Sequence, residues 1–149
     1  MITLESAIQL AMEAHVGQKD LSGRPYILHP LYVMTQMETD TERIVAVLHD
    51  VTEDTAYTIT QIANFGLTEE IRDALVLLDK NNHSGSDKEE RYVNMIAAIK
   101  EHSIARKVKI KDLEHNMDLR RIINRHDMRK KDMERVGRYM KAWSYLTGE

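Results

Sequence analysis

Only two prolines and six glycines interrupt the 149 residues of this chain, and no strand-like alternation of apolar and polar side chains persists beyond four residues. Most of what remains is Ala, Leu, Ile, Met, Glu, Lys and Arg, residues that lose little side-chain freedom on entering a helix. Such a chain buries apolar surface by packing helix on helix. The expectation is an all-α bundle of about seven helices, with residues 1–149 forming one domain of ordinary size.

Apolar spacing locates the elements. A first helix is expected over 3–16, with Leu4, Ala7, Ile8, Ala11, Met12 and His15 on one face and Thr3 and Ser6 as a capping pair. GQKDLSGRPY (17–26) reads as a loop, and Pro30 suits the first turn of a helix over roughly 30–38. A third helix is expected over 41–51. A short one near 59–64 follows, capped by Thr58 and stopped by Asn64-Phe65-Gly66, and another over 67–80 opens at Thr68. NNHSGSD (81–87) is polar, and its Gly, Ser and Asn content permits movement. Helices then follow over 87–101, with Tyr92, Met95, Ile96 and Ile99 inward, and over 103–117, with Ile104, Val108 and Ile110 buried. The last, over about 127–146, turns Met133, Val136, Tyr139, Met140 and Trp143 inward.

Composition removes several classes of function. The absence of cysteine excludes disulfides, thiolate zinc sites and a cysteine nucleophile. A net charge of −3 and a pI near 6.2 argue against a general nucleic-acid binder. No apolar run approaches the roughly 18 residues of a membrane span, and MITLESAIQL lacks a signal-peptide pattern. The expected setting is the cytoplasm, with neither nucleic acid nor membrane as partner. The basic run RRIINRHDMRKK (120–131) reads as a solvated helix face in preference to one wall of a pocket for an anion.

The chemistry concentrates in AVLHDVTEDT (46–55). Five apolar residues, Ile44 to Leu48, lead into His49, Asp50, Glu53 and Asp54, and a helix entering a core carries such groups only if something compensates their charge. On a continuous helix His49 and Asp50 lean toward one point, with Glu53 one turn above His49 and Asp54 one turn above Asp50. A divalent cation would offset the carboxylates. Further donors are His29 in YILHP, just before the proline that starts a helix, and Asp112 in KVKIKDLEHN, emerging from an apolar helix. Two imidazoles and two carboxylates suit Mn²⁺, Fe²⁺ or Mg²⁺ before structural zinc. His15 reads as a hydrogen-bonded core histidine and His115 as a neighbour that orients a ligand, whereas His83, His102 and His126 read as surface. Nine methionines read as core filler, and Arg120, Arg121 and Arg125 as a solvated face.

AHVGQKDLSGRPYILHPLYV (14–33), AVLHDVTEDT (46–55), Phe65-Gly66 and KVKIKDLEHNM (107–117) together resemble the HD-domain metal-dependent phosphohydrolases. Within that superfamily they are most similar to the (p)ppGpp hydrolase domain of RelA/SpoT-type proteins and to stand-alone small alarmone hydrolases. The resemblance spans about residues 7–120. It implies an HD-type helical bundle in which His29, His49, Asp50 and Asp112 hold a metal, usually manganese. It implies Glu53 and Asp54 as the acidic pair that positions or activates the attacking water. Ser22, Tyr26 and Asn116 match positions lining the nucleotide pocket, and Lys109 matches a lysine on the helix leading to the last ligand.

The implied reaction is that of a guanosine-3′,5′-bis(diphosphate) 3′-pyrophosphohydrolase, without a synthetase half. The alternatives are hydrolysis of another phosphorylated nucleotide or nucleotide binding without turnover. The sequence departs from the family pattern around the ligands. Where the family's loop carries an Arg-Lys pair against guanine, this chain has Asp20-Leu21, with Lys19 the nearest base. Leu113-Glu114 stand for Arg-Leu after Asp112, and Asp118-Leu119 for Arg-Thr after HNM.

Overall fold

A computed structural model describes residues 1–122 and 130–149. The elements run α1 (Leu4–Ala14), α2 (Leu28–Thr35), α3 (Asp40–Leu48), α4 (Val51–Asp54), α5 (Ile59–Ala63) and α6 (Glu69–Leu78). A 3₁₀ turn (Lys80–Asn82) leads to α7 (Lys88–Lys100), α8 (Ser103–Asn116), α9 (Leu119–Ile122) and α10 (Lys130–Thr147). Among the described residues no strand forms, and the all-helical expectation holds. The single-turn pieces α4 and α9 were not legible as separate helices.

α3 is the centre of the bundle and packs on α1, α2, α6 and α8. Ile44, Val45, Ala46, Val47 and Leu48 are all buried, so this helix is apolar around its whole circumference and has no solvent face in its second half. Each buried Val, Leu or Ile contributes about 1.5–3 kcal/mol relative to exposure. Local signals start the helices. Thr3 with Ser6, Thr39 with Glu42 and Thr58 with Gln61 form reciprocal capping boxes. Glu42 also receives the Lys107 ammonium at 2.7 Å, tying the start of α3 to α8. Burial pushes the Glu42 carboxyl up, but Lys107 and the Glu38 and Thr39 amides outweigh it and leave the group below its ordinary value.

Three expectations change. The helix expected over 41–51 is interrupted at His49-Asp50. Asp50 sits at φ −98° and ψ −3°, between the end of α3 and the start of α4, and the chain turns there. Met12, Met133 and Met140 are exposed. In α10 the inward stripe is Asp132, Arg135, Val136, Tyr139, Ala142, Trp143 and Leu146, because one flank of this helix faces a polar cavity and the other the core. The polar loop at 81–87 is fastened: Asn82 donates to the Val76 carbonyl, His83 bonds the Leu77 carbonyl, and Asn94 donates to the Ser84 carbonyl. A Cβ on Gly85 would lie 2.5 Å from the Arg91 nitrogen, so only glycine lets this loop approach α7. Among the described residues no helix is long and apolar enough to cross a membrane.

Candidate active site

Four polar side chains converge in the core. His29 comes from the first turn of α2, His49 and Asp50 from the α3–α4 elbow, and Asp112 from α8. All four are between 2% and 8% exposed, a placement that buried ionisable groups reach only when compensated. His29 Nε2 lies 2.8 Å from Asp112 Oδ1 and 3.7 Å from Asp50 Oδ2. His49 Nε2 lies 3.0 Å from Asp50 Oδ2 and 3.5 Å from Asp112 Oδ1. One donor atom from each residue lies within 4.8 Å of all the others.

The far sides of the rings aim these atoms inward. His49 Nδ1 faces the Ala46 carbonyl, which holds a proton there and turns Nε2 to the centre. That buried Nε2 has no hydrogen-bond partner of good geometry. His29 Nδ1 meets His115 Nδ1 at 2.7 Å. Burial, then Arg121 and His29, push His115 down to about 4, so it is a neutral acceptor for the His29 Nδ1–H. The His29 and His115 rings stack at 4.9 Å, and Tyr32 covers His115 from the other side at 4.0 Å.

The carboxylates stay ionised. Burial opposes this at Asp50, but His49 beside it holds the carboxyl well below the usual range, and Lys109 does the same for Asp112. Burial likewise opposes charge on His49, yet Asp50 and Asp112 raise it well above its ordinary value. An unpartnered imidazole nitrogen between two ionised carboxylates is a donor set that fits a divalent cation, and binding would displace a proton.

α8 places three polar groups on one face by its three/four spacing. Lys109 Nζ donates to Asp112 Oδ2 at 2.7 Å, and Asn116 Nδ2 donates to Asp112 Oδ1 at 2.9 Å. Tyr26 Oη donates to Asp50 Oδ2 at 2.7 Å and lies 3.3 Å from Asp54 Oδ2. Burial, then Asp50, pushes Glu53 up to about 7, although the Lys80 amide donates to it at 3.1 Å. The same causes raise Asp54.

Asp50, Glu53, Asp54 and Asp112 line the floor of a cavity of about 710 Å³, with His29 and His49 buried behind them. Lys88 and Arg91 of α7 and Arg135 and Arg138 of α10 stand on its wall, and the loop at 18–22 on its rim. The floor is acidic and the wall basic.

No protein-family model matches the chain. It is 33% identical over 142 residues to a GTP pyrophosphokinase of Streptomyces coelicolor, an alignment covering 91% of this chain. It is 38% identical over 116 residues, 72% of the chain, to a guanosine-3′,5′-bis(diphosphate) 3′-pyrophosphohydrolase of Haemophilus influenzae. It is 34% identical over 122 residues, 76% of the chain, to the bifunctional (p)ppGpp synthase/hydrolase SpoT of Escherichia coli. The chain is an HD domain of the RelA/SpoT type. It spans only 17% of the length of each of these relatives. Its fold matches a solved structure titled as a metazoan ortholog of SpoT that hydrolyzes ppGpp. The TM-score is 0.74 and the identity 23%, covering 96% of this chain and 84% of that one.

In this HD domain His29, His49, Asp50 and Asp112 come together as expected, with Glu53 and Asp54 beside them. Ser22, Tyr26, Lys109 and Asn116 line the cavity. Their polar atoms are already engaged: the Ser22 hydroxyl donates to the Arg121 carbonyl, and the other three hold Asp50 or Asp112. His15 is buried and bonded to Gln18 through Nδ1, and His115 is bonded to His29 through Nδ1. His83 and His102 are not idle surface groups, since His83 pins the loop and His102 caps α8. Arg120 is solvated and paired with Asp118, whereas Arg121 faces the cavity. Arg125, His126 and the expected start of the last helix at 127 lie outside the described residues. The basic wall escaped sequence reasoning, and its only signal was the one-turn spacing of Lys88 with Arg91 and of Arg135 with Arg138.

Proposed function

We propose that the chain is a metal-dependent phosphohydrolase that removes pyrophosphate from the 3′ position of a guanosine bis(diphosphate). The observation that carries this reading is the convergence of two imidazole nitrogens and two ionised carboxylates beside Glu53 and Asp54, at the floor of a cavity with a basic wall. A divalent cation held by His29, His49, Asp50 and Asp112, manganese in our reading with Fe²⁺ or Mg²⁺ as alternatives, supplies charge that acidifies water and polarises a phosphoryl oxygen.

The chain's own groups do the rest. Glu53, raised toward 7, accepts a proton from the attacking water, while Asp54 and the Tyr26 hydroxyl orient it. The P–O3′ bond breaks as the new P–O bond forms, and the 3′ oxygen leaves with a proton, so the products are pyrophosphate and a guanosine 5′-diphosphate. Lys109 balances Asp112, and Asn116 keeps that carboxylate aimed. The guanidinium and ammonium groups of Arg91, Arg135 and Lys88 suit the phosphates at the far end of such a substrate. A second reading, hydrolysis of a different phosphorylated nucleotide, is favoured by Asp20-Leu21 at the rim.

The test is turnover by protein stripped of metal and reloaded with Mn²⁺, offered ppGpp beside other nucleotides, with pyrophosphate and phosphate assayed separately. Pyrophosphate from ppGpp only in the reloaded protein is expected. Phosphate from another nucleotide with ppGpp inert would replace this reading with the second.

A further inference from the structure

We propose that the backbone amide of Lys80 is a positioning group for Glu53, and that Asp79 is the residue that presents it. The inference rests on reading Glu53 as the proton acceptor, and it names what holds that carboxyl in place.

Glu53 lies in α4, a single turn of four residues. So short a helix does not stabilise itself, and the side chain needs support from elsewhere. That support comes from 27 positions along the chain, where Lys80 N donates to Glu53 Oε1 at 3.1 Å. No donor to Glu53 Oε2 is found among the described residues. Glu53 lines the cavity beside Asp50, Asp54 and Asp112. One oxygen is held and the other is left over, an arrangement suited to a carboxyl that takes one proton from one direction.

Asp79 explains why this amide is available. In the 3₁₀ turn Lys80–Asn82 the first two amides, those of Lys80 and Asn81, have no acceptor inside the turn. Asp79 Oδ1 accepts from the Asn81 amide at 2.9 Å, and the Asp79 carbonyl accepts from the Asn82 amide at 3.1 Å. The Lys80 amide is the one these two acceptors leave, and Glu53 takes it. Asp79 does this from a buried position, 6% exposed. The turn is also fastened to the end of α6. Asn82 Nδ2 donates to the Val76 carbonyl at 3.1 Å, and His83 Nε2 lies 2.8 Å from the Leu77 carbonyl. α6 packs on α3, the helix that leads into His49 and Asp50. The frame that places the buried cluster therefore places Glu53 as well.

Proline deletes the amide with little disturbance here. Asp79 sits at φ −92° and ψ 112°, the extended conformation of a residue before proline. Lys80 opens a 3₁₀ turn, whose φ of roughly −50° to −70° suits the proline ring. Lys80→Ala, which loses the ammonium and keeps the amide, is the reference. With Mn²⁺ and ppGpp, Lys80→Pro is expected to show about tenfold lower kcat than Lys80→Ala, with KM and metal content alike. On a Glu53→Gln background the two are expected to share one kcat, since the amide acts only through that carboxyl. In metal-free protein, solvent exchange of the Lys80 amide is read by NMR. It is expected to quicken about tenfold in Glu53→Ala and in Asp79→Ala. It is expected to keep the wild-type rate in Asp79→Asn, whose side-chain carbonyl still accepts from Asn81. The two Asp79 variants carry the test if Lys80→Pro fails to fold.

Equal kcat for Lys80→Pro and Lys80→Ala, a further loss on the Glu53→Gln background, or exchange indifferent to Glu53→Ala would overturn the positioning. Exchange at the wild-type rate in Asp79→Ala, or quickened as much in Asp79→Asn, would overturn the part given to Asp79. Exchange is read without turnover, so the two proposals fail separately. A Lys80 amide protected by Glu53 in a chain that cleaves nothing sinks the hydrolase reading alone. Hydrolysis of ppGpp with Lys80→Pro equal to Lys80→Ala sinks this one alone.

Discussion

The floor of the cavity and its rim are built on opposite terms. On the floor, His29, His49, Asp50 and Asp112 are nearly inaccessible, come from α2, the α3–α4 elbow and α8, and have their rings or carboxyls oriented by Ala46, His115, Lys109 and Asn116. On the rim, Asp20, Leu21 and Arg121 belong to a loop and a single-turn helix, and on the wall Arg138 is paired at 3.8 Å with Glu89. A change on the floor leaves a buried charge without its counter-charge, whereas a change on the rim is made in partial contact with water. A buried polar cluster is therefore hard to alter, and a loop at the rim is easy to alter.

Asp50→Ala should break the comparison at its strongest point. Metal content after reloading should fall to background and turnover with it. Leaving the buried His49 short of a counter-charge should cost about 3–5 kcal/mol in denaturant unfolding. Tight metal in this variant would remove Asp50 from the donor set. Glu53→Gln comes next: metal content is expected to stay at the wild-type level while kcat drops by roughly a hundred- to ten-thousandfold, the range for loss of a general base.

Arg91→Ala tests the wall between floor and rim. KM for a substrate with a distal diphosphate should rise about tenfold, the loss of one charge-assisted hydrogen bond, with metal content untouched and a smaller difference at high salt. A fall in metal content would mean that wall and floor are one unit. The smallest effect is expected far from both, at Glu42→Gln. Glu42 lies below its ordinary value when folded, so it stabilises the fold above the normal carboxylate range, and this is lost as pH falls through the folded value. Wild type should exceed the variant by about 1–2 kcal/mol at neutral pH, and melts at falling pH should bring the two together.

Part of the polar cluster of the floor was readable because His49 and Asp50 end an apolar run, where polar groups are costly, whereas the set that joins them to His29 and Asp112 came from the family resemblance. Helix starts were readable because capping is local: Thr3, Thr58 and Thr68 satisfy amides three residues away. The stop at Leu48 was not, since the residues around it are all compatible with helix. Nor was the inward stripe of α10, where periodicity alone could not say that Arg135 faces a cavity and Met133 solvent.

The sequence by itself determined an all-helical chain and its caps, because these depend on neighbours within one or two turns. The tertiary structure decided which groups the polar side chains meet. Asp20 reads as an acid where the family has a basic pair until Arg121, 101 positions along the chain, is brought within 3.9 Å of it. Lys109, one turn from Asp112, becomes its counter-charge only when both are buried out of water. Electrostatic roles follow from distance and desolvation, and both are set by packing.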